Sequence, residues 1–155
     1  MIAPDTQVIV LGSLPGRASL AADRYYAHPR NQFWRLIGSV IERDLVPLEY
    51  EDRLAALRDG GIGLWDTVAS AERAGSLDTA LRNVTRNPLA DVLERAPKLR
   101  ALGFNGGAAA RIGRKALPSD TPLALIDLPS SSPAYCRISV DEKAQAWAQL
   151  REFLA

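Results

Sequence analysis

Residues 8–41 read VIVLGSLPGRASLAADRYYAHPRNQFWRLIGSVI, and the pattern changes twice along them. Residues 8–11 are a short, unbroken apolar run, the signature of a strand covered on both faces of a parallel sheet. The run stops at a turn with glycine at Gly12 and Gly16 and proline at Pro15. Further on, Phe33, Trp34, Ile37, Val40 and Ile41 recur at spacings of three and four, the apolar stripe of a helix. A buried strand that feeds a helix is the opening of an α/β fold. The connection between them carries Arg17, Arg24, Tyr25, Tyr26, the only histidine His28, Arg30 and Asn31. Long connections in compact domains are usually functional or disordered, and this one is too aromatic for disorder.

The alternation continues down the chain. Tyr50, Leu54 and Leu57 mark a second helix that stops at Gly60 and Gly61, and residues 62–65 read as a second strand. Residues 66–86 have little pattern beyond a short helical turn expected at 77–81. Asn87 and Pro88, in cap and first-turn positions, restart a helix through Leu89, Val92 and Leu93 that ends near Pro97. Residues 99–104 are a third strand, Gly106 and Gly107 lead into a helix with Ile112 and Leu117, and residues 123–128 are a fourth strand. The loop PSSSPAYCR follows. Ser139 and Glu142 then stand in capping-box spacing before a helix that buries Ala144, Trp147, Leu150 and Leu154. The expected architecture is a three-layer α/β/α sandwich, one domain over residues 1–155, with a central four-stranded parallel sheet. The strand exits at Gly12, Asp66, Asn105 and Pro129 should then share one rim, where such sheets bind ligands.

Composition narrows the chemistry. With 19 Lys and Arg against 18 Asp and Glu, any nucleic-acid contact has to be local. The single cysteine, Cys136, and single histidine, His28, leave no disulfide and no zinc or iron–sulfur ligand set, so no metal and no cofactor is expected. No apolar run reaches the roughly 20 residues of a membrane span, and Pro4 and Asp5 stand where a signal peptide would be basic and then apolar. A soluble, cytoplasmic monomer is the expectation. The first loop lacks the lysine and spacing of a Walker A loop and fails the G-x-G-x-x-G pattern, and no G-x-S-x-G elbow occurs. What remains is a turn of backbone N–H groups, stacking rings at Tyr25 and Tyr26, the amide of Asn31 and a serine–proline loop. These parts suit a planar, uncharged ring held beside a phosphate backbone.

In order along the chain, GSLPGRASL, YYAHPRNQFW, GIGLWDTVASAERAGSLD, GFNGG and LPSSSPAY resemble the uracil-DNA glycosylase superfamily, most closely its hypoxanthine-DNA (deoxyinosine) glycosylase branch. A more distant similarity is to the mismatch-specific uracil and thymine glycosylases, which share A-H-P-x-N-x-F-W and carry G-x-N-P-G in the first loop. Their loop asparagine is replaced here by Ser13 or Leu14, depending on the anchor chosen. The resemblance implies a monofunctional enzyme that hydrolyses the N-glycosidic bond of hypoxanthine, uracil or xanthine in DNA, with DNA as its partner and no obligate protein partner. It implies catalytic roles for Asn31 and Ser13, Asn31 orienting water and stabilising charge. Gly12, Leu14, Pro15, Gly16, Tyr26 and Asp66 would hold the base, with Tyr26 stacked on it. Arg17, Asn105, Gly106, Ser130, Ser131, Ser132, Pro133, Ala134, Tyr135 and Arg137 would contact DNA, Ala134 or Tyr135 acting as the wedge.

Plain structural roles compete at several of these positions. Asn31 stands at a helix start and is also a good cap. His28 before Pro29 reads as a loop hydrogen-bonding group, one of the two tyrosines as a core ring, and Asp66 equally as a strand-end cap. Arg111, Arg114 and Lys115 read as a solvated helix face. A DNA-damage binding module without catalysis, and a hydrolase of free nucleosides, are the two other functions compatible with the same rim.

Overall fold

Four strands form one sheet: β1 (Val8–Gly12), β2 (Ile62–Asp66), β3 (Ala101–Asn105) and β4 (Ala124–Leu128). The computed structural model describes residues 1–12, 25, 26, 30–66 and 88–154. All three pairings are parallel, in the order β2-β1-β3-β4. Val8 lies opposite both Ile62 and Ala101, Gly12 opposite Asp66, and Asn105 opposite Leu128. Because the strands run one way, Gly12, Asp66, Asn105 and Leu128 finish on one edge. The chain leaves β1 for β2 on one side and leaves β3 for β4 on the other. The sheet therefore has its topological switch between β1 and β3, the place where open α/β sheets form a crevice.

The apolar run of β1 divides between two cores. Val8 and Val10 pack with Phe33, Leu36, Ile37, Leu57, Trp147 and Leu150, whereas Ile9 and Leu11 pack with Val92, Leu102, Phe104 and Ala109. All four β1 side chains are fully buried, each worth about 1.5–3 kcal/mol of apolar transfer. One layer holds α1 (Phe33–Ile41), α2 (Tyr50–Asp59) and α5 (Val140–Trp147), which continues as a 3-10 turn over Ala148–Phe153. The other holds α3 (Pro88–Arg95) and α4 (Gly107–Lys115). A Cβ on Gly113 would lie 2.4 Å from the Phe104 ring, so α4 sits directly on β3. The three-layer sandwich follows the sequence expectation.

Local signals fall where expected. Ser139 accepts from the Glu142 N–H and Glu142 from the Ser139 N–H, completing the capping box of α5. Gly61 supplies the positive φ of +81° that ends the α2 region and opens β2. Strands β1 and β2 run one residue further than their apolar stretches, taking in Gly12 and Asp66. The third strand begins at Ala101, not Leu99, because Arg100 and Ala101 first bond to the Gln7 carbonyl. The helical turn expected at 77–81 and the cap at Asn87 lie outside the described residues. Among those described, no helix is long and apolar enough to cross a membrane.

Candidate active site at the switch of the sheet

The loop after β4 takes its shape from its own serines. Ser130 Oγ accepts the Ser132 N–H at 3.1 Å, and Ser132 Oγ accepts the Ala134 N–H at 3.2 Å. Both are side-chain turns, the local competition with regular structure that serine favours. Helix α5 clamps the base of the loop: Trp147 Nε1 donates to the Pro129 carbonyl at 2.9 Å. Gly106, at φ +94°, donates its N–H to the carbonyls of Phe104 and Leu128 and lies against Ser130. The exits of β3 and β4 are thereby joined.

Ser131, between the two turn-forming serines, faces inward and is 1% exposed. Its N–H donates to Asn105 Oδ1 at 2.9 Å, and its carbonyl accepts the Gln32 N–H at 2.9 Å. Asn105, also buried, donates from Nδ2 to Ser131 Oγ at 2.9 Å and to the Tyr26 hydroxyl at 3.3 Å. Ser131 Oγ in turn donates to Asn31 Oδ1 at 2.8 Å, and the same oxygen accepts the Phe33 N–H at 2.9 Å. One chain of contacts thus joins the exits of β3 and β4 to the start of α1.

Two backbone groups settle the direction of every proton in this chain. A backbone N–H can only donate, so the Asn105 atom facing Ser131 N and the Asn31 atom facing Phe33 N are both oxygens. Asn105 Nδ2 is then the donor to Ser131 Oγ, and the single Ser131 hydroxyl proton is left for Asn31. Asn31 Oδ1 has both lone pairs occupied. Its Nδ2 has no partner among the described residues, so the group it offers to a ligand is a pair of N–H donors.

Tyr26 stands beside this chain with its ring stacked on Phe33, centroids 3.8 Å apart and planes 18° apart. Its φ of +52° is a left-handed value that bulky residues rarely adopt and that concentrates at functional sites. Phe33 packs edge-on to Trp34 and Trp147, so the platform under Tyr26 is continuous with the core.

Lys143 is a site neighbour that the sequence reading missed. It is 1% exposed, and Nζ donates to Gln32 Oε1 at 2.8 Å and to the Ser132 carbonyl at 3.2 Å, 5.4 Å from the Tyr135 ring centroid. Burial pushes its ammonium below the ordinary value, while the nearby Cys136 pulls it the other way. Lys143 precedes Trp147 by four and Leu150 by seven, so the helical period placed it on the buried face. Its charge masks that placement in the sequence.

The family model for the uracil DNA glycosylase superfamily matches residues 1–151. The chain belongs to that superfamily. It is 35% identical over 151 residues to a hypoxanthine DNA glycosylase of Methanosarcina barkeri, covering 96% of this chain and 92% of that protein. A hypoxanthine DNA glycosylase of Methanosarcina acetivorans is likewise 35% identical, over 149 residues, 95% of this chain and 92% of the relative. In three dimensions the fold is similar to a solution NMR structure of a Methanosarcina acetivorans protein put forward as a uracil DNA glycosylase. That similarity has a TM-score of 0.75 at 32% identity, over 98% of this chain and 93% of the other.

Of the residues singled out from the superfamily motifs, Tyr26, Asn31, Asn105 and Ser131 meet in one hydrogen-bonded group. Gly12 and Asp66 are paired across β1 and β2 on the same rim. Gly106, Ser130, Ser132, Pro133, Ala134, Tyr135 and Arg137 belong to the β3 and β4 exits, the last four exposed. An open groove of about 490 Å³ is lined by Gly106, Gly107, Pro129, Ser130 and Tyr135, and Asn31 and Ser131 do not border it. Ser13, Leu14, Pro15, Gly16, Arg17 and His28 lie outside the described residues. Arg114 is paired with Asp127 at 2.9 Å, as a solvated helix face would have it.

Proposed function

We propose that this chain is a monofunctional DNA glycosylase that removes deaminated bases, hypoxanthine foremost, from DNA. Two relatives named hypoxanthine DNA glycosylase support this, each aligned over more than nine-tenths of both chains. The structural observation that carries it is Asn31, held at the switch of the sheet with its oxygen occupied and its N–H donors open.

The chemistry follows from that polarity. Breaking the bond between C1′ and the base sends the electron pair onto the base, and water adds to the sugar as its own proton is released. Negative charge grows on a purine whose acceptors are ring nitrogens and the exocyclic carbonyl oxygen. Donors placed at such atoms stabilise the transition state more than the ground state, as in an oxyanion hole. A neutral amide is no base for water, so Asn31 acts by orientation and charge stabilisation. Tyr26, backed by Phe33, offers its ring to the base turned out of the duplex. The loop leaving Gly12, with Ser13, contributes further donors, and the exposed residues from Pro133 to Arg137 meet the damaged strand.

The test uses identical duplexes carrying inosine, uracil, xanthine or no lesion, with abasic sites revealed by alkali. Breaks in the inosine duplex and none in the undamaged one are expected. Tight binding of lesion DNA without any base release would make the chain a binding module. Cleavage of free deoxyinosine alone would make it a nucleosidase.

A further inference from the structure

We infer that Ser131 and Asn105 are positioning residues that lock Asn31 as a one-way donor, in place of the DNA contacts their rim position suggests. The inference rests on the catalytic reading of Asn31 and deepens it. Both side chains are buried, and their hydrogen-bonding groups are committed inside the protein. A phosphate would have to break these bonds to be gripped by either one.

Their arrangement does what a single contact would not. An asparagine held only by the Phe33 N–H keeps one lone pair of its oxygen free, and its amide plane is free to tilt. The Ser131 hydroxyl fills that lone pair. A hydroxyl rotates, so by itself it would not fix the amide. Asn105 removes that freedom: by donating to Ser131 Oγ it makes the hydroxyl an acceptor on one side and sends its only proton to Asn31. The second Asn105 donor holds the Tyr26 hydroxyl, so the base platform and the base donor are referenced to one amide. The direction of the chain starts at the Ser131 backbone N–H, which no side-chain exchange reverses.

Two variants test this with single-turnover release of hypoxanthine from a deoxyinosine duplex under excess enzyme. Ser131→Ala removes the donor to Asn31. Asn105→Asp keeps the shape and the bond from the Ser131 N–H, but its second oxygen accepts where Nδ2 donated, turning the Ser131 proton away from Asn31. Each is expected to slow base release by roughly tenfold or more, part of the roughly hundredfold that misplacing a reacting group by about an ångström brings. Binding of lesion DNA should change by less than about threefold, since neither side chain meets phosphate in this account.

The deciding readout is the double variant with Asn31→Ala. Adding Ser131→Ala to Asn31→Ala is expected to slow release no further, because Ser131 acts only through Asn31. A further loss in the double variant, full rate in Ser131→Ala and Asn105→Asp, or a loss that lies wholly in DNA affinity would overturn the inference. Full rate in Asn31→Ala would instead remove the catalytic reading of Asn31 on which it stands.

Discussion

Asn31→Asp separates a donor to the leaving base from an acceptor for water. Aspartate has nearly the shape of asparagine, and one of its oxygens can keep both bonds that Oδ1 accepts, from Phe33 N–H and Ser131 Oγ. The new charge sits at the start of α1, where the helix dipole favours it by roughly 0.3–1 kcal/mol. The variant should therefore melt at or slightly above wild type. Its outer face changes from two N–H donors to an anionic oxygen. Loss of one donor to a developing anion costs about 10²–10³ in rate. A full negative charge about 4 Å from a half-developed one adds about 2 kcal/mol at an effective dielectric near 20. Together these give a loss of roughly 3 × 10³- to 3 × 10⁴-fold. Single-turnover release of hypoxanthine, with melting measured alongside, reads both numbers. A carboxylate is a better acceptor for a water proton than an amide, so a water-accepting role expects a rate equal to or above wild type. That outcome would refute the donor assignment.

Gly106→Ala forces a Cβ into a φ of +94° at 3.2 Å from Ser130, and a loss of about 1–2 kcal/mol should lower the melting temperature by about 2–8 °C. The Lys143 pKa lies below 10.5 in the folded chain, so between the folded value and 10.5 the unfolded chain holds a proton that the folded one has lost. Wild type should accordingly gain stability relative to Lys143→Met as pH rises through that window, and a difference that stays flat or falls contradicts the buried-ammonium assignment. Borohydride should trap no covalent adduct with inosine DNA, because Lys143, the lysine nearest the site among the described residues, is buried and bonded to two acceptors. Affinity for duplex DNA should fall with salt, and Arg137→Ala should reduce the salt slope by about 1 for damaged and undamaged sequences alike.

The layers of the fold were legible because they rest on period and punctuation. The run at residues 8–11 is apolar at every position, and the structure buries both of its faces. The capping box at Ser139 and the glycines after α2 mark boundaries by backbone chemistry, which acts locally and so is written locally. The shared rim was legible too, since strand exits of a parallel sheet must lie on one edge whatever the intervening loops do.

Roles within the site were less legible, because they depend on contacts between residues far apart in sequence. Nothing in the SSS of the last loop says that its middle serine turns inward while its neighbours shape the loop, as the 2.8 Å bond from Ser131 to Asn31 shows. The cap position expected at Asn31 falls instead to Gln32, whose side chain caps nothing; Asn31 stands one residue earlier, and the oxygen with which it accepts the Phe33 N–H is the one whose occupation leaves its amide nitrogen without a partner among the described residues. Lys143 carried its signal in the helical period, and its charge hid it.

The most direct measurement is mass-spectrometric detection of the free base after incubating the protein with a duplex that contains one deoxyinosine, with Asn31→Ala in parallel. Free hypoxanthine should appear with wild type in step with abasic sites in the DNA, and at least about a hundredfold more slowly with the variant. Equal release by both proteins, or none by a folded wild type that binds the duplex, would contradict the account.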